Sequence, residues 1–335
     1  MAENKGKLNW PIGIRLFNRP DYAKRLLSSL SEQSLEIDSH NIYCLIDGFA
    51  GSKTQKQNGT DLTSEVESLV KEHFPNATII KPATNIGLAK ALHTLQDTVF
   101  SQTQAEWALF FEDDLELDEL YLEQIENLIK LSDSFEKIVK VGAFQLRTGY
   151  IKHPPEKSRT DFFLGEGTKA FAERESYFQL RKPLIEKYLA ALGDVQYSER
   201  DHVRIYTEMA MNGVFAFTTY NDAIHDRIAA HFSKLHVVTA LPFANDIGAH
   251  GENNLRHPSV KLSHTSAENL LRYSKTEFSE ILPALEYEQL QLERALFNDF
   301  YRQFMAVSRG RYALQFVLTR GIEKIMAVVK NLFRG

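Results

Sequence analysis

Cysteine is all but absent: Cys44 stands alone among 335 residues, so no intrachain disulfide can form and the fold must be held by its core. That residue sits in the apolar run Ile42-Tyr43-Cys44-Leu45-Ile46, where a buried thiol is the ordinary outcome and a reducing compartment fits. No stretch approaches the roughly 18 apolar residues of a membrane span, and the polar start from Met1 to Asn9 has no apolar signal core, so the expectation is a cytoplasmic chain. Positive charge is not in excess. With 39 Lys and Arg against 44 Asp and Glu the net charge is -5, which argues against broad nucleic-acid binding. Gly-x-x-x-x-Gly-Lys and Gly-x-Gly-x-x-Gly sequences are both missing, so ATP hydrolysis and dinucleotide redox chemistry have no motif behind them. Internal repeats and low-complexity tracts are missing too.

What is present is a globular composition, 43% hydrophobic and 25% charged, in a chain long enough to bury about three quarters of its unfolded surface. The first half alternates short apolar runs with helical periodicity, the pattern of βαβ units. Residues 11–17, 41–46, 77–81 and 107–111 read as strands; 21–30, 62–73, 87–100 and 118–131 read as helices. Open α/β sheets bind ligands beyond the carboxyl ends of their strands. Here those ends are Asn18-Arg19, Asp47-Gly48, Asn85-Ile86-Gly87 and Glu112-Asp113-Asp114, with a polar, Gly-bearing loop over 49–61 beside the second.

Three adjacent carboxylates at the end of an apolar strand repel one another unless a cation relieves them. Mg²⁺ and Mn²⁺ take hard oxygen ligands and commonly combine one or two carboxylates with substrate phosphates, which suits a nucleotide diphosphate. The same triplet also fits a solvated helix start near Asp118, where acids favour the positive end of the dipole. Likewise Asn-Arg-Pro, Asp-Gly and Asn-Ile-Gly are each common turn sequences.

In order along the chain, these segments resemble the GT-A glycosyltransferases. Glu112-Asp113-Asp114-Leu115-Glu116 is similar to their metal-binding motif and, in its acidic triplet, to the N-acetylglucosaminyltransferase I family and family 2-like nucleotide-sugar transferases. The resemblance covers residues 10–130 well and continues more loosely to about 260. It implies an α/β GT-A fold over 1–262, a mixed central sheet flanked by helices; it does not include the tail over 263–335, which the sequence pattern reads as a helical C-terminal extension. It further implies that Asn18 and Arg19 help to hold the nucleotide, that Asp47 hydrogen-bonds the base, and that Asn85 and Gly87 form the loop on the nucleotide side. Glu112 and Asp113 would then face the nucleotide sugar, and Asp114 would ligate Mn²⁺ or Mg²⁺. Asp222, in Tyr220-Asn221-Asp222-Ala223, matches the position of that family's base, although Asn221 and Ala223 depart from its aromatic-Asp-Asp-Trp pattern. Asp201, Glu208 and Asp226 compete for the role, and a helix N-cap is the plain alternative for Asp222. His257, ahead of His250, matches a second metal ligand from the carboxyl half, against the plain reading of surface histidines. Glu166, in Gly165-Glu166-Gly167, takes the acceptor side.

The implied activity is transfer of a sugar from a nucleotide diphosphate-sugar to a carbohydrate or lipid-linked hydroxyl, with inversion. A nucleotidyltransferase and an inactive carbohydrate-binding relative are the alternatives; the first lacks its glycines after strand one, and the second is opposed by the intact Asp47, Asp113 and Asp114. Over 313–333 basic and apolar residues recur at helical spacing, which suits a membrane surface or, as the ordinary alternative, a helix docked on the domain or on a second copy of the chain. The region from 263 onward reads as helical, interrupted near Pro283 and Gly310.

Overall fold

The structure, a computed structural model of the chain, describes residues 6–144, 162–165, 169–193, 200–216, 219–248 and 270–307. Glu166, His250, His257, the expected domain boundary at 262 and the basic segment 313–333 lie outside these residues.

Four parallel strands form the first half of the sheet: β1 (Ile12–Leu16), β2 (Ile42–Ile46), β3 (Thr78–Ile80) and β4 (Trp107–Glu112). All residues of β1, β2 and β4 are buried, as expected of parallel strands covered on both faces. Helices α1 (Pro20–Ser31), α3 (Thr63–His73) and α4 (Leu88–Thr103) connect them, and a short α2 (Lys53–Lys56) lies within the loop expected over 49–61. Pro20 opens α1 because its missing N–H is not needed in a first turn. Gly87 precedes α4 at φ +77°, a conformation that strains any residue with a Cβ.

The second half adds β6 (Ile138–Gly142), β7 (Phe162–Leu164), β8 (Ala170–Arg174) and β9 (Leu235–Thr239), giving one eight-stranded mixed sheet in the order β3-β2-β1-β4-β8-β6-β9-β7. β8 runs antiparallel to both β4 and β6. A separate antiparallel pair joins β5 (Leu115–Leu117) to β10 (Ala244–Asp246). The sequence pattern did not foresee β5 or β10. Their consequence is that the acidic triplet does not open the following helix α5 (Tyr121–Ser132), since β5 stands between them.

The sheet faces differ. Ile12, Ile14, Trp107, Leu109 and Phe111 join residues of α1, α3 and α5 in the larger core. On the other face Phe110 and Phe171 pack with Leu92, Leu95 and Phe100 of α4 and with Phe178 of α6 (Glu175–Leu192). Glu173 belongs to β8, two residues before that helix begins.

Helices α7 (His202–Met211), α8 (Asn221–His231) and α9 (Lys275–Val307) complete the fold. Contrary to the expected break, α9 runs through Pro283. A proline inside a helix costs about 3 kcal/mol. Phe278 and Leu285, one on each side of it, are buried in the larger core and contribute roughly 1.5–3 kcal/mol each, enough to hold the helix together.

Candidate active site

Strand order 3-2-1-4 places the carboxyl ends of β1, β2 and β4 side by side, and the sequence-derived candidates gather there. At the end of β2, buried Asp47 organises the neighbouring loop. Its Oδ1 accepts from the backbone N–H of Gly48 at 2.8 Å and of Ile86 at 2.9 Å; its Oδ2 accepts from Asn85 Nδ2 at 3.0 Å and from Gly87 N–H at 3.1 Å. Asp47, Asn85 and Gly87 are thus one unit that sets where α4 begins. Burial raises the Asp47 carboxyl above the usual range, and the three backbone donors and Arg15 pull it back only in part. Gly48 is required by space, because a Cβ there would lie 2.4 Å from the carbonyl carbon of Thr84.

At the end of β1, Asn18 is engaged on the loop. It donates from Nδ2 to the Thr60 carbonyl at 2.6 Å and accepts from Leu62 N–H, which ties the segment after α2 to the strand. Arg19 turns the other way. Its Nε donates to Asp113 Oδ2 at 3.1 Å and its Nη2 to Asp113 Oδ1, with Asp114 Oδ2 at 3.8 Å and the Tyr22 ring 5.0 Å below the guanidinium. Burial alone would lower the Arg19 guanidinium, but Asp113, then Asp114 and Glu112, raise it and hold its charge.

Each acid of the triplet therefore has a basic partner from the chain itself. Arg15 on β1 meets Glu112 Oε1 at 2.6 Å and donates to the Leu88 carbonyl at 3.0 Å. Arg19 takes Asp113. Lys169, just before β8, bridges Asp114 Oδ2 at 3.1 Å and Asp246 Oδ2 at 2.9 Å. Two backbone bonds fix this last cluster: Glu112 N–H donates to the Lys169 carbonyl at 2.9 Å, and Ile247 N–H donates to the Asp114 carbonyl at 2.9 Å. Burial raises the Glu112 and Asp113 carboxyls, opposed by Arg15 and by Arg19 respectively. For Lys169 burial works against the charge, but Asp114, Glu112 and Asp246 raise it.

The arrangement changes the argument about repulsion. Four carboxylates (Glu112, Asp113, Asp114, Asp246) face three basic groups (Arg15, Arg19, Lys169), leaving one negative charge when all are ionised. A nucleotide diphosphate would add two more, so a divalent cation remains electrostatically apt once donor is bound. The donor set agrees. Asp114 Oδ1 is buried and has no hydrogen-bond partner among the described residues, and Asp246 offers a second hard oxygen nearby. Two carboxylates suffice where phosphate and water complete the shell; among the described residues no group of three or more ligating side chains gathers.

Asp222 lies in the first turn of α8, half-buried, with Tyr220 in the N-cap position. Its charge acts on both Glu112, 110 residues away in sequence, and Lys140. The competing acids, like Asp222, have partners of their own. Asp201 caps α7 by accepting from Arg204 N–H at 3.0 Å, Glu208 accepts from Asn212 Nδ2 at 3.2 Å, and Asp226 acts on Lys140 from a turn further along α8.

Arg15, Lys169 and Asp246 are the site residues that no motif singled out. Arg15 could have been found as a charge inside an otherwise apolar strand. Asp246 belongs to the stretch 245–257, whose acids and histidines suit diphosphate or metal, while Lys169 carries no such signal; β8 and β10 folding back on the triplet bring the two together.

No family model matches the sequence, and a search of curated proteins finds no match. Solved structures do align. TarS of S. aureus is 13% identical over 71% of this chain and 36% of its own, with a TM-score of 0.40, so the chain spans about a third of that protein's length. Residues 1–349 of TarS in complex with UDP-GlcNAc align over 97% of this chain and 83% of that one, at 13% identity and a TM-score of 0.44. A mannosyltransferase of Pyrobaculum calidifontis, bound to GDP-Man and Mn²⁺, aligns over 70% and 58% respectively, at 15% identity and a TM-score of 0.34.

Proposed function

We propose that the chain is a glycosyltransferase that moves a sugar from a nucleotide diphosphate-sugar to a hydroxyl of a carbohydrate or lipid-linked acceptor, with inversion. One observation supports the reading: the loop clamp of Asp47 and the three acid–base pairs of the triplet gather at the carboxyl ends of β1, β2 and β4.

On this reading the nucleotide lies over the ends of β1 and β2, beside the loop that Asp47 holds. Arg19, whose side chain is 27% exposed, and Lys169, at 13%, can reach the diphosphate; Arg15, at 8%, instead fixes Glu112 against α4. Asp114 and Asp246 would hold Mn²⁺ or Mg²⁺, which supplies Lewis-acid stabilisation of the leaving phosphate. The acceptor hydroxyl gives its proton to the Asp222 carboxylate as its oxygen bonds to the anomeric carbon. The bond from that carbon to the diphosphate oxygen breaks, and the leaving charge is met by donors of Arg19 and Lys169.

Asp222→Asn tests the assignment, because it keeps the size of the side chain and removes the base. Turnover should fall by about 10² or more while donor affinity is retained. Nucleotide sugars are screened first by thermal shift with Mn²⁺ and then by transfer of labelled sugar to hydroxyl acceptors. Failure of every nucleotide sugar to raise the melting temperature would overturn the proposal.

A further inference from the structure

Lys169 is the cation that the two converging carboxylates already hold. Its ammonium sits 3.1 Å from Asp114 Oδ2 and 2.9 Å from Asp246 Oδ2, while Asp114 Oδ1 is left buried without a partner among the described residues. An ammonium has three donors, so these two bonds leave one for a further acceptor. The three residues come from three separate segments, locked together by the Glu112 N–H to Lys169 carbonyl bond and the Ile247 N–H to Asp114 carbonyl bond. The backbone around it therefore keeps Lys169 within reach of both carboxylates, and the ion pairs alone hold its ammonium there.

We infer that Lys169 and a divalent cation compete for the Asp114–Asp246 carboxylate pair, so that Lys169 closes the site before donor binds and turns to the phosphate oxygens when the metal enters. This assigns Asp246 as a metal ligand and Lys169 as the group that sets metal affinity. It rests on the donor-site reading above for the identity of the phosphate ligand, but not for the competition itself. The physical reason is charge: an ammonium within about 3 Å of both oxygens repels a second cation there, and on leaving it exchanges carboxylate partners for phosphate oxygens of the same kind. Binding of metal and donor then becomes mutually favourable, since each relieves the cost the other meets.

The test uses Mn²⁺ alone, titrated into the full chain without nucleotide, with free ion followed by its electron paramagnetic resonance signal. Lys169→Met should bind Mn²⁺ at least about tenfold more tightly than the wild type, while Lys169→Arg, which keeps the charge, should stay near it. Asp246→Asn should weaken binding by about tenfold or more. Mn²⁺ should also raise the melting temperature of Lys169→Met more than that of the wild type, because it restores the lost positive charge. If Lys169→Met does not fold, Lys169→Gln takes its place. Equal or weaker Mn²⁺ affinity in a folded neutral variant overturns the competition, and unchanged affinity in Asp246→Asn overturns that ligand. Should Mn²⁺ behave as expected while no nucleotide sugar binds, the transferase reading fails and the cation exchange stands; the reverse pattern separates them the other way.

Discussion

Asp47 offers the sharpest test of how the site is built. Its carboxylate, 6% exposed, accepts four hydrogen bonds, three of them from the backbone of Gly48, Ile86 and Gly87 and the fourth from Asn85. Asp47→Ala strips all four. Residues 85–87 are half-buried, so water can recover some of these donors but not every one. At about 1–3 kcal/mol for each donor left unpaired, less what is regained by no longer burying a carboxylate, the expected loss is about 2–4 kcal/mol. For a chain of this size that is a fall of roughly 3–6 °C in melting temperature. Asp47→Asn should be milder. Its oxygen can keep the Gly48 and Ile86 bonds, and Asn85 can turn its amide over to accept from the new NH₂, leaving only the Gly87 N–H opposed, for about 1–2 kcal/mol. Thermal unfolding and nucleotide titration together check the series. Stability and nucleotide affinity should fall in the order wild type, Asn, Ala, because the loop that sets the start of α4 loosens in that order. An Asp47→Ala protein that melts with the wild type and binds nucleotide equally well would refute the clamp.

Three further outcomes are expected. Arg181 donates to Glu173 at 2.9 and 2.6 Å and to Gln96 at 2.9 Å in a fully buried cluster, so Arg181→Met should cost about 3–5 kcal/mol in urea unfolding, and Arg181→Met with Glu173→Gln should recover part of it. His93 is held down to about 4, first by burial and then by Arg181 and Lys182, so the unfolded chain takes up a proton on acidification where the folded one does not. Stability should therefore decline as pH falls from about 6.5 towards 4, less steeply in His93→Phe than in the wild type, as melting temperatures across that range will show. Arg19→Lys keeps the charge but loses the two-point contact with Asp113, and calorimetry should find nucleotide affinity reduced by about tenfold or more, with Arg19→Ala weaker still.

The part of this site that comes from the first half of the chain was legible in the sequence for a physical reason: its residues sit at strand ends, and strands buried on both faces announce themselves as apolar runs. The run Trp107 to Phe111 could hardly be anything else, and Glu112-Asp113-Asp114 comes directly after it. Boundaries of β1 to β4 and of α1, α3 and α4 fell within a few residues of those expected. β5 and β10 were not legible, being three residues long and paired with each other across more than a hundred residues. Pro283 misled because local propensity says break, whereas Phe278 and Leu285 are buried in a core that the sequence pattern does not display. The Lys169–Asp246 contact was hidden for the same reason as β10, since tertiary pairing alone creates it.

The strands β8, β6 and β9 carry a row of polar side chains away from β4 across one face of the sheet. Register pairs Ala108 with Glu173, Glu173 with Lys140 and Lys140 with His236, so these side chains share the face on which Phe110, Phe171 and Glu112 lie. That face is apolar beside α4 and turns polar as it passes under α6 and α8. Lys140, buried with its ammonium 4.1 Å from the Phe171 ring centroid, is lowered by burial, opposed by Glu173, Asp226 and Asp222. A buried lysine survives only where such carboxylates compensate it, and this one draws charge from both ends of the polar row. Asp222, in the first turn of α8, acts on both ends of that row, favourably on Lys140 and unfavourably on Glu112. Lys140→Met should disturb that balance without touching a strand end. If Asp222 accepts the acceptor proton, the variant should shift the pH profile of kcat and leave donor affinity unchanged. An unmoved profile in a folded variant would mean that Lys140 serves the sheet alone and that the acid it neutralises is Glu173.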